Sequence, residues 1–560
     1  MCLLTRRQLL AYLPGLALAR EGCDVLIVGG SLGGVAAALA AARLGKRVIL
    51  TEETAWIGGQ ATTQGVPLDE HPWIEERGRS ESYAQFREGV RNYYRRHYPL
   101  TPAARADKYF NPGAGWVSAC CFEPVVGQAV LYEMLAPHLT SGRVRILLNH
   151  RPTAVEMDGD RCRAVTLLDD RNSRKITLTA PYVLDATALG DLLPLARMEY
   201  VTGAESKSQT GEPTALDGPA EPLKMQPFTH LIAVDHLPGE DHTIEKPREY
   251  EKWRAGFRGF VGMAESHGDE LQLRMRRLFA PQPSDQYASS IWNFRRVFCA
   301  GNFQAGAFPS DITMLMTGNE YHGGPIIEVS PGEASRHREA AKQLTLSLVY
   351  FSQTELDPAY PGIRPRGDVL GSEDGLAQYP YIRESRRIKA EFTVLEQHFR
   401  VDLHPDGPVL YKDSVGVGGY RMDIHERGTG ATSRTWELHG KHWVQQIPLG
   451  ALIPVRAENL LPAAKNIGTT HVTNGAFRLH PVEWNIGEAA GALAAHCLDR
   501  KLSPREVRGK ASHLEDFQRT LMKMGIELRW SRLEVARSYN SHYAEVPGWY
   551  FGEAERKYGK

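Results

Sequence analysis

The sequence predicts an α/β fold: a parallel sheet flanked by helices, with a second region inserted between its strands. Three stretches carry that expectation. Residues 24–38, "DVLIVGGSLGGVAAA", join a β-rich run to a glycine turn and an alanine-rich segment. Residues 180–196, "APYVLDATALGDLLPLA", give a strand that ends in a turn of small residues. Near the end of the chain, "AENLLPAAKNIG" is followed by "EWNIGEAAGALAAHCL", again a strand and then a glycine-alanine helix. At 560 residues the chain exceeds the size at which a single core keeps growing, so two or more packed regions are expected.

The first unit reads in order. "DVLIV" is the strand, and "VAAALAAARLG" is a helix that Gly45 is placed to end. "RVILTEE" is the second strand, with Glu52 at its C-terminal end. Aligned on G-x-G-x-x-G, Gly29 and Gly34 fit, while Ser31 stands at the middle glycine between Gly30 and Gly33. Helix amides at Gly33 and Gly34 supply an anion site, and a small hydroxyl at Ser31 is compatible with a nearby phosphate. About twenty residues separate Gly29 from Glu52, the spacing of a carboxylate that accepts ribose hydroxyls. Strand, turn, helix and terminal acid together make a dinucleotide site.

The next loop, "WIGGQATTQGV", contains Gly58, Gly59, Gln60, Ala61 and Thr62, whose small side chains let backbone approach a planar ring. A β-rich stretch, "RVRILLNHRPTAVEMDGDRCRAVTLLDD", carries Pro152 and leads to the strand and turn holding Ala186, Thr187 and Asp191. The return helix near residues 483–498 contributes Gly487.

Other classes are disfavoured. Sixty-six basic residues balance 66 acidic ones, so no global field gathers nucleic acid. Seven cysteines include no C-x-x-C, and Cys120–Cys121 reads as two unpaired thiols; no metal site is expected. Residues 1–19 pair Arg6 with Arg7 ahead of an apolar run and Ala17-Leu18-Ala19, which reads as a twin-arginine signal peptide for periplasmic or secreted export. No later segment is apolar and long enough to cross a membrane.

Together "VLIVGGSLGGVAAA", "IGGQATTQG", "CCFEP", "VLDATALGDLLPLA", "YIRESRRI" and "THVTNGAFRLHPVEWNIGEAAG" resemble the bacterial FAD-dependent oxidoreductases. These belong to the glutathione-reductase-like flavoproteins, with a flavin domain related to that of the heterodisulfide reductase flavoprotein. The resemblance covers about residues 22–500. It implies a Rossmann-like FAD-binding domain, a parallel sheet with helices plus a β-meander, built from residues 20–202 and 445–500. It also implies an inserted α+β substrate domain over 203–444, followed by a helical tail over 501–560. Ser31 and Ala188 depart from the family pattern, each standing where glycine is usual. The iron–sulfur ligands of the heterodisulfide reductase relatives are missing.

The chemistry then turns on histidine, the usual proton partner near neutral pH. "THVTNGAFRLHP" holds His471, Arg478 and His480 just before the return helix, a segment that runs alongside the flavin in the resembling family. His471 is the first candidate base, and Arg478 the cation that offsets charge on reduced flavin. "GYRMDIHE" places Asp423 and His425 on one face if it is a strand, with Asp423 holding the imidazole tautomer. "WELHGKHW" adds His439 and His442. "YIRESRRIKAE" reads as a salt-bridged helix, with a substrate-carboxylate clamp by Arg383, Arg386 and Arg387 as the alternative. The combined expectation is an FAD enzyme that dehydrogenates a polar small molecule by hydride transfer. A cytoplasmic NAD(P)H-linked flavin reductase and a non-catalytic flavin-binding partner protein are the alternatives. The electron acceptor and oligomeric state stay open.

Overall fold

The computed structural model describes residues 21–71, 73–257, 262–267, 270–275, 278–279, 290–400, 402–405, 407–425 and 442–530. The expected signal segment, His439 and residues 531–560 lie outside these.

Five parallel strands form the central sheet, in the order Leu460–Pro462, Tyr182–Asp185, Val25–Val28, Val48–Glu52, Val144–Leu148. Both faces are covered, as an all-parallel sheet requires. Successive side chains alternate between two cores. Val25 and Ile27 join the helical core, while Leu26 and Val28 join a smaller one beneath the β-meander. That meander runs His150–Asp158, Arg161–Asp169, Arg174–Thr179, with Glu21–Gly22 added at its edge.

The expected first helix spans Leu32–Arg43, and Gly45 follows with φ +84°, the left-handed turn that glycine adopts without strain. The return helix, His480–Arg500, lies directly on it. Their glycines permit this approach: a Cβ at Gly487 would stand 1.9 Å from the Gly33 carbonyl oxygen, and one at Gly491 would stand 2.3 Å from that of Ala37.

The inserted region builds its own core. An antiparallel sheet of Arg296–Phe298, Ile312–Leu315, Ile232–His236 and Ile363–Pro365 packs with the helix Pro331–Thr354, burying Ile232, Val234, Leu315 and Leu348. The hairpin of Ser414–Gly418 with Gln445–Pro448 straddles residue 444 and lies against the return helix. After Ser503 caps its helix at Pro504–Gly509, the helix Ala511–Lys523 buries Phe517 and Leu521.

The sequence-based helix over "YIRESRRIKAE" does not form. Residues 381–391 are extended, with only Arg387–Ile388 paired as a strand against Tyr200–Val201. The reason is that the three arginines are not a solvated helical face. Arg383 and Arg387 are fully buried, Arg383 paired with Glu320 and Arg387 with Glu205, both from distant segments, and Arg387 also with Glu384 in the same stretch.

Candidate active site

A cleft lies where the strands Val25–Val28, Val48–Glu52 and Tyr182–Asp185 stop. Gly29, Ser31, Glu52, Gly59, Pro152, Ala186 and Thr187 line this cleft, together with Glu53 and Tyr379. The other expected contacts, Gly30, Gly33, Gly34, Gly58, Gln60, Ala61, Thr62, Asp191 and Gly487, are not among its lining residues.

Glu52 has its orientation fixed by the backbone. One carboxylate oxygen accepts the Gly30 amide at 2.7 Å, and the other accepts the Thr54 amide at 2.9 Å and hydroxyl at 2.7 Å. Burial raises its pKa, partly offset by those hydrogen bonds. Glu53, absent from the sequence expectation, is pushed to about 8 by burial and by the charges of Asp191 and Glu52. Asp185 closes the neighbouring strand, accepting from the Thr187 amide and hydroxyl at 3.0 and 2.7 Å.

Ser31 is the N-cap of the first helix, where its hydroxyl accepts the Gly34 amide at 3.2 Å. The expected phosphate donor is thus also a helix cap, and the Gly33 amide points to Glu483 Oε1 at 3.5 Å. Gly59, at φ +49°, rests on Ser31, whose Cα would lie 2.9 Å from an added Cβ. Loop and turn therefore meet at the cleft wall. Gln60 donates to the Arg478 carbonyl at 2.9 Å and to Glu483, leaving its buried Oε1 without a partner among the described residues.

A second set of predicted residues converges in one buried network. Arg478 donates to Tyr381 and, at 2.9 Å, to Asp423. Asp423 pairs with His425 Nε2 at 3.2 Å, and His425 Nδ1 pairs with Glu320 at 2.8 Å. Glu320 in turn holds Arg383 at 3.0 Å. Residues 421–425 form no strand, yet Asp423 and His425 meet as expected. Burial lowers the His425 pKa, but Glu320 and Asp423 outweigh it and the net shift is upward.

His471 opens the helix His471–Phe477 and is anchored differently. Its Nδ1 meets Glu384 Oε2 at 2.8 Å, and its amide donates to Glu205 at 2.9 Å. Burial would raise Glu384, but His471 and Arg387 hold it at about 2. A carboxylate only accepts, so Nδ1 carries a hydrogen, and in the neutral imidazole Nε2 presents a lone pair. That Nε2 is buried and has no partner among the described residues. Gln226 links the halves, its amide donating to Glu384 at 3.0 Å and its Oε1 accepting the His425 amide at 3.3 Å.

Two other candidate histidines accept from backbone amides, although His480 Nε2, like His471 Nε2, is buried without a partner among the described residues. His480 Nδ1 accepts the Asp69 amide at 3.0 Å, and His442 Nε2 accepts the Met422 amide at 3.1 Å. Glu384, Glu320, Tyr381 and Gln226 were not legible in the sequence, because nothing local marks a residue whose partners lie far along the chain.

A βαβ turn, an acid-bearing strand end and a returning glycine helix define a dinucleotide-binding oxidoreductase of the flavoprotein class. The sequence model described as FAD dependent oxidoreductase matches residues 24–521, and the chain belongs to that family. Its cofactor is FAD. The residues present fit it: the Glu52 carboxylate is held at the cleft by Gly30 and Thr54, the cleft wall is small at Gly29, Ser31 and Gly59, and Gln60 keeps a buried acceptor free of the described residues.

Solved structures give distant likenesses. A geranylgeranyl bacteriochlorophyll reductase-like protein from Thermoplasma acidophilum is 10% identical, with 94% of this chain and 98% of that one covered and a TM-score of 0.33. p-Nitrophenol 4-monooxygenase PnpA from Pseudomonas putida DLL-E4 is 11% identical over 93% of each chain, TM-score 0.32. L-proline dehydrogenase from P. horikoshii is 17% identical over 34% of this chain, TM-score 0.18, and the match spans 25% of that chain's length. No curated protein matches.

Proposed function

We propose that this FAD-dependent oxidoreductase dehydrogenates a polar small molecule beside His471, with His471 as general base. FAD, when bound, supplies the hydride acceptor. The proton released from the substrate's hydroxyl or amine falls to the protein.

The observation that carries this reading is the buried Nε2 of His471, unpartnered among the described residues, with Nδ1 held by Glu384. Glu384 fixes the tautomer and stabilises the imidazolium that forms on proton uptake. His425 plays a different part. Asp423 and Glu320 hold it on two sides and raise its pKa, so we assign it as a proton donor or relay rather than a free base. At 28% exposure, His425 and Glu320 are the wetter end of the network, and Arg478 and His471 at 2% are the dry end. A proton leaving the interior therefore has its exit on the His425 side. Arg478 supplies the cation we assign to offset charge developing on the reduced cofactor.

The relation to the heterodisulfide reductase flavoprotein and the glutathione-reductase-like flavoproteins belongs to this proposal, as does export on a twin-arginine signal. So do the division into flavin and substrate domains and the assignment of the residues from Gly29 to Gly487 around the cleft as cofactor contacts. Anaerobic mixing of the purified enzyme with sugars, glycosides, amines and hydroxy acids tests the reaction. Bleaching of the flavin by one of these supports it. Bleaching by NADH or NADPH alone would assign the chain to the reductase alternative.

A further inference from the structure

We infer, resting on the oxidation reading, that the substrate is an uncharged polyhydroxylated molecule of the sugar or polyol class. It would be bound by Gln226, Arg383, His471, Asn474 and Arg478.

Charge matching is the first argument. Arg478 is paired with Asp423, Arg383 with Glu320, Arg387 with Glu205 and Glu384, and His425 lies between Glu320 and Asp423. Each of these cations already has its carboxylate. A ligand bearing net charge would enter this buried site without a counter-ion, and an unpaired charge in such surroundings is costly.

The second argument is the hydrogen-bonding capacity left over. Among the buried side-chain atoms of this connected network that have no partner among the described residues are Gln226 Nε2, Arg383 Nε, Arg478 Nε, His471 Nε2 and Asn474 Oδ1. Asn474 belongs to the network because its Nδ2 donates to the Arg383 carbonyl at 3.0 Å. The first three atoms are donors, and the last two are acceptors once Glu384 has claimed the His471 Nδ1 hydrogen. A carboxylate or phosphate ester oxygen only accepts, so it would leave Asn474 and His471 unsatisfied. An ammonium only donates, so it would leave Gln226 and both arginine Nε groups unsatisfied. A hydroxyl does both, and several hydroxyls on one carbon frame meet donors and acceptors together. Mixed capacity with balanced charge selects that frame, and it places one hydroxyl hydrogen at the His471 lone pair.

The test reads binding apart from turnover. FAD-loaded enzyme, its flavin reduced beforehand with dithionite under anaerobic conditions, is titrated calorimetrically with glucose, galactose, mannose and methyl glucoside. Each sugar is compared with its uronate and, where it exists, its 2-amino counterpart. We expect at least one neutral sugar to bind roughly tenfold or more tighter than its charged counterparts. Tightest binding by a uronate or an amino sugar would overturn the inference, and so would binding by none of the panel. Gln226→Glu replaces the free donor with an unmatched carboxylate oxygen. At unchanged FAD content, it should shift preference toward the amino sugar, and retention of the neutral preference would count against the assignment. Neutral sugars that bind but never bleach oxidised flavin would sink the oxidation reading while leaving this one standing. Bleaching by a uronate alone would do the reverse.

Discussion

Two residues of the site carry predictions of opposite kinds. Ser31 is both cleft wall and helix cap. Ser31→Gly should keep FAD and cost only a few tenths of a kcal/mol, because glycine is itself tolerated at an N-cap. Ser31→Leu puts a branched chain beside Gly59 and into the cleft, and should abolish binding. Flavin released by denaturing each purified variant measures both, and equal content in the two would show that this turn does not touch the cofactor. His425 carries a pH signature. Its folded pKa lies above the ordinary 6.5, so the stability it contributes is fully present below about pH 6.5 and lost as pH rises through the folded value. The melting-temperature gap between wild type and His425→Gln should therefore narrow over the range of pH above about 6.5. A gap that widens over that range would mean His425 is neutral when folded. Glu52 at its strand end was legible from spacing alone, whereas Glu384 was not. Its role exists only because residues 381–391 run extended past His471, and the charge pattern there suggested a helix.

Among the elements, the first helix and the return helix are coupled through glycine. The alanine and glycine pattern announced both helices, because such a segment is buried all round and has room for close backbone contact. It did not announce that one would lie on the other across 450 residues of sequence, with Gly33 and Glu483 in contact at 3.5 Å. Gly487→Ala would bring a methyl to 1.9 Å from the Gly33 oxygen, so the helices must part. Overpacking of this kind typically costs about 1–3 kcal/mol. We expect a lower melting temperature and weaker FAD retention together, read by thermal denaturation and flavin fluorescence. Gly509→Ala, where an added Cβ meets nothing within 4 Å, is the control and should change neither. The helix Glu81–His97 shows the limit of charge reading. Its Arg87 and Arg91 look like a solvated face, yet they are buried against Glu70 and Glu75.

At the scale of the whole molecule, the first strands and the helices after them follow from β-rich runs and glycine turns, which are local signals, whereas the strand order, with Leu460–Pro462 beside Tyr182–Asp185, does not. The network around His471 and His425 follows from contacts among segments near residues 226, 320, 383, 423 and 471, which no local pattern connects. That division explains why the turn at Gly29–Gly34 and Glu52 could be read from the sequence, while Gln226, Glu320 and Tyr381 could not. The central claim is that His471, oriented by Glu384, takes the substrate proton. Rapid anaerobic mixing of FAD-loaded enzyme with a substrate that bleaches its flavin measures this directly. His471→Ala should keep FAD and slow bleaching by roughly two to four orders of magnitude, the range of a general base. Glu384→Gln should slow it less and displace its pH profile. Bleaching at the wild-type rate in His471→Ala, with FAD content unchanged, would contradict the account.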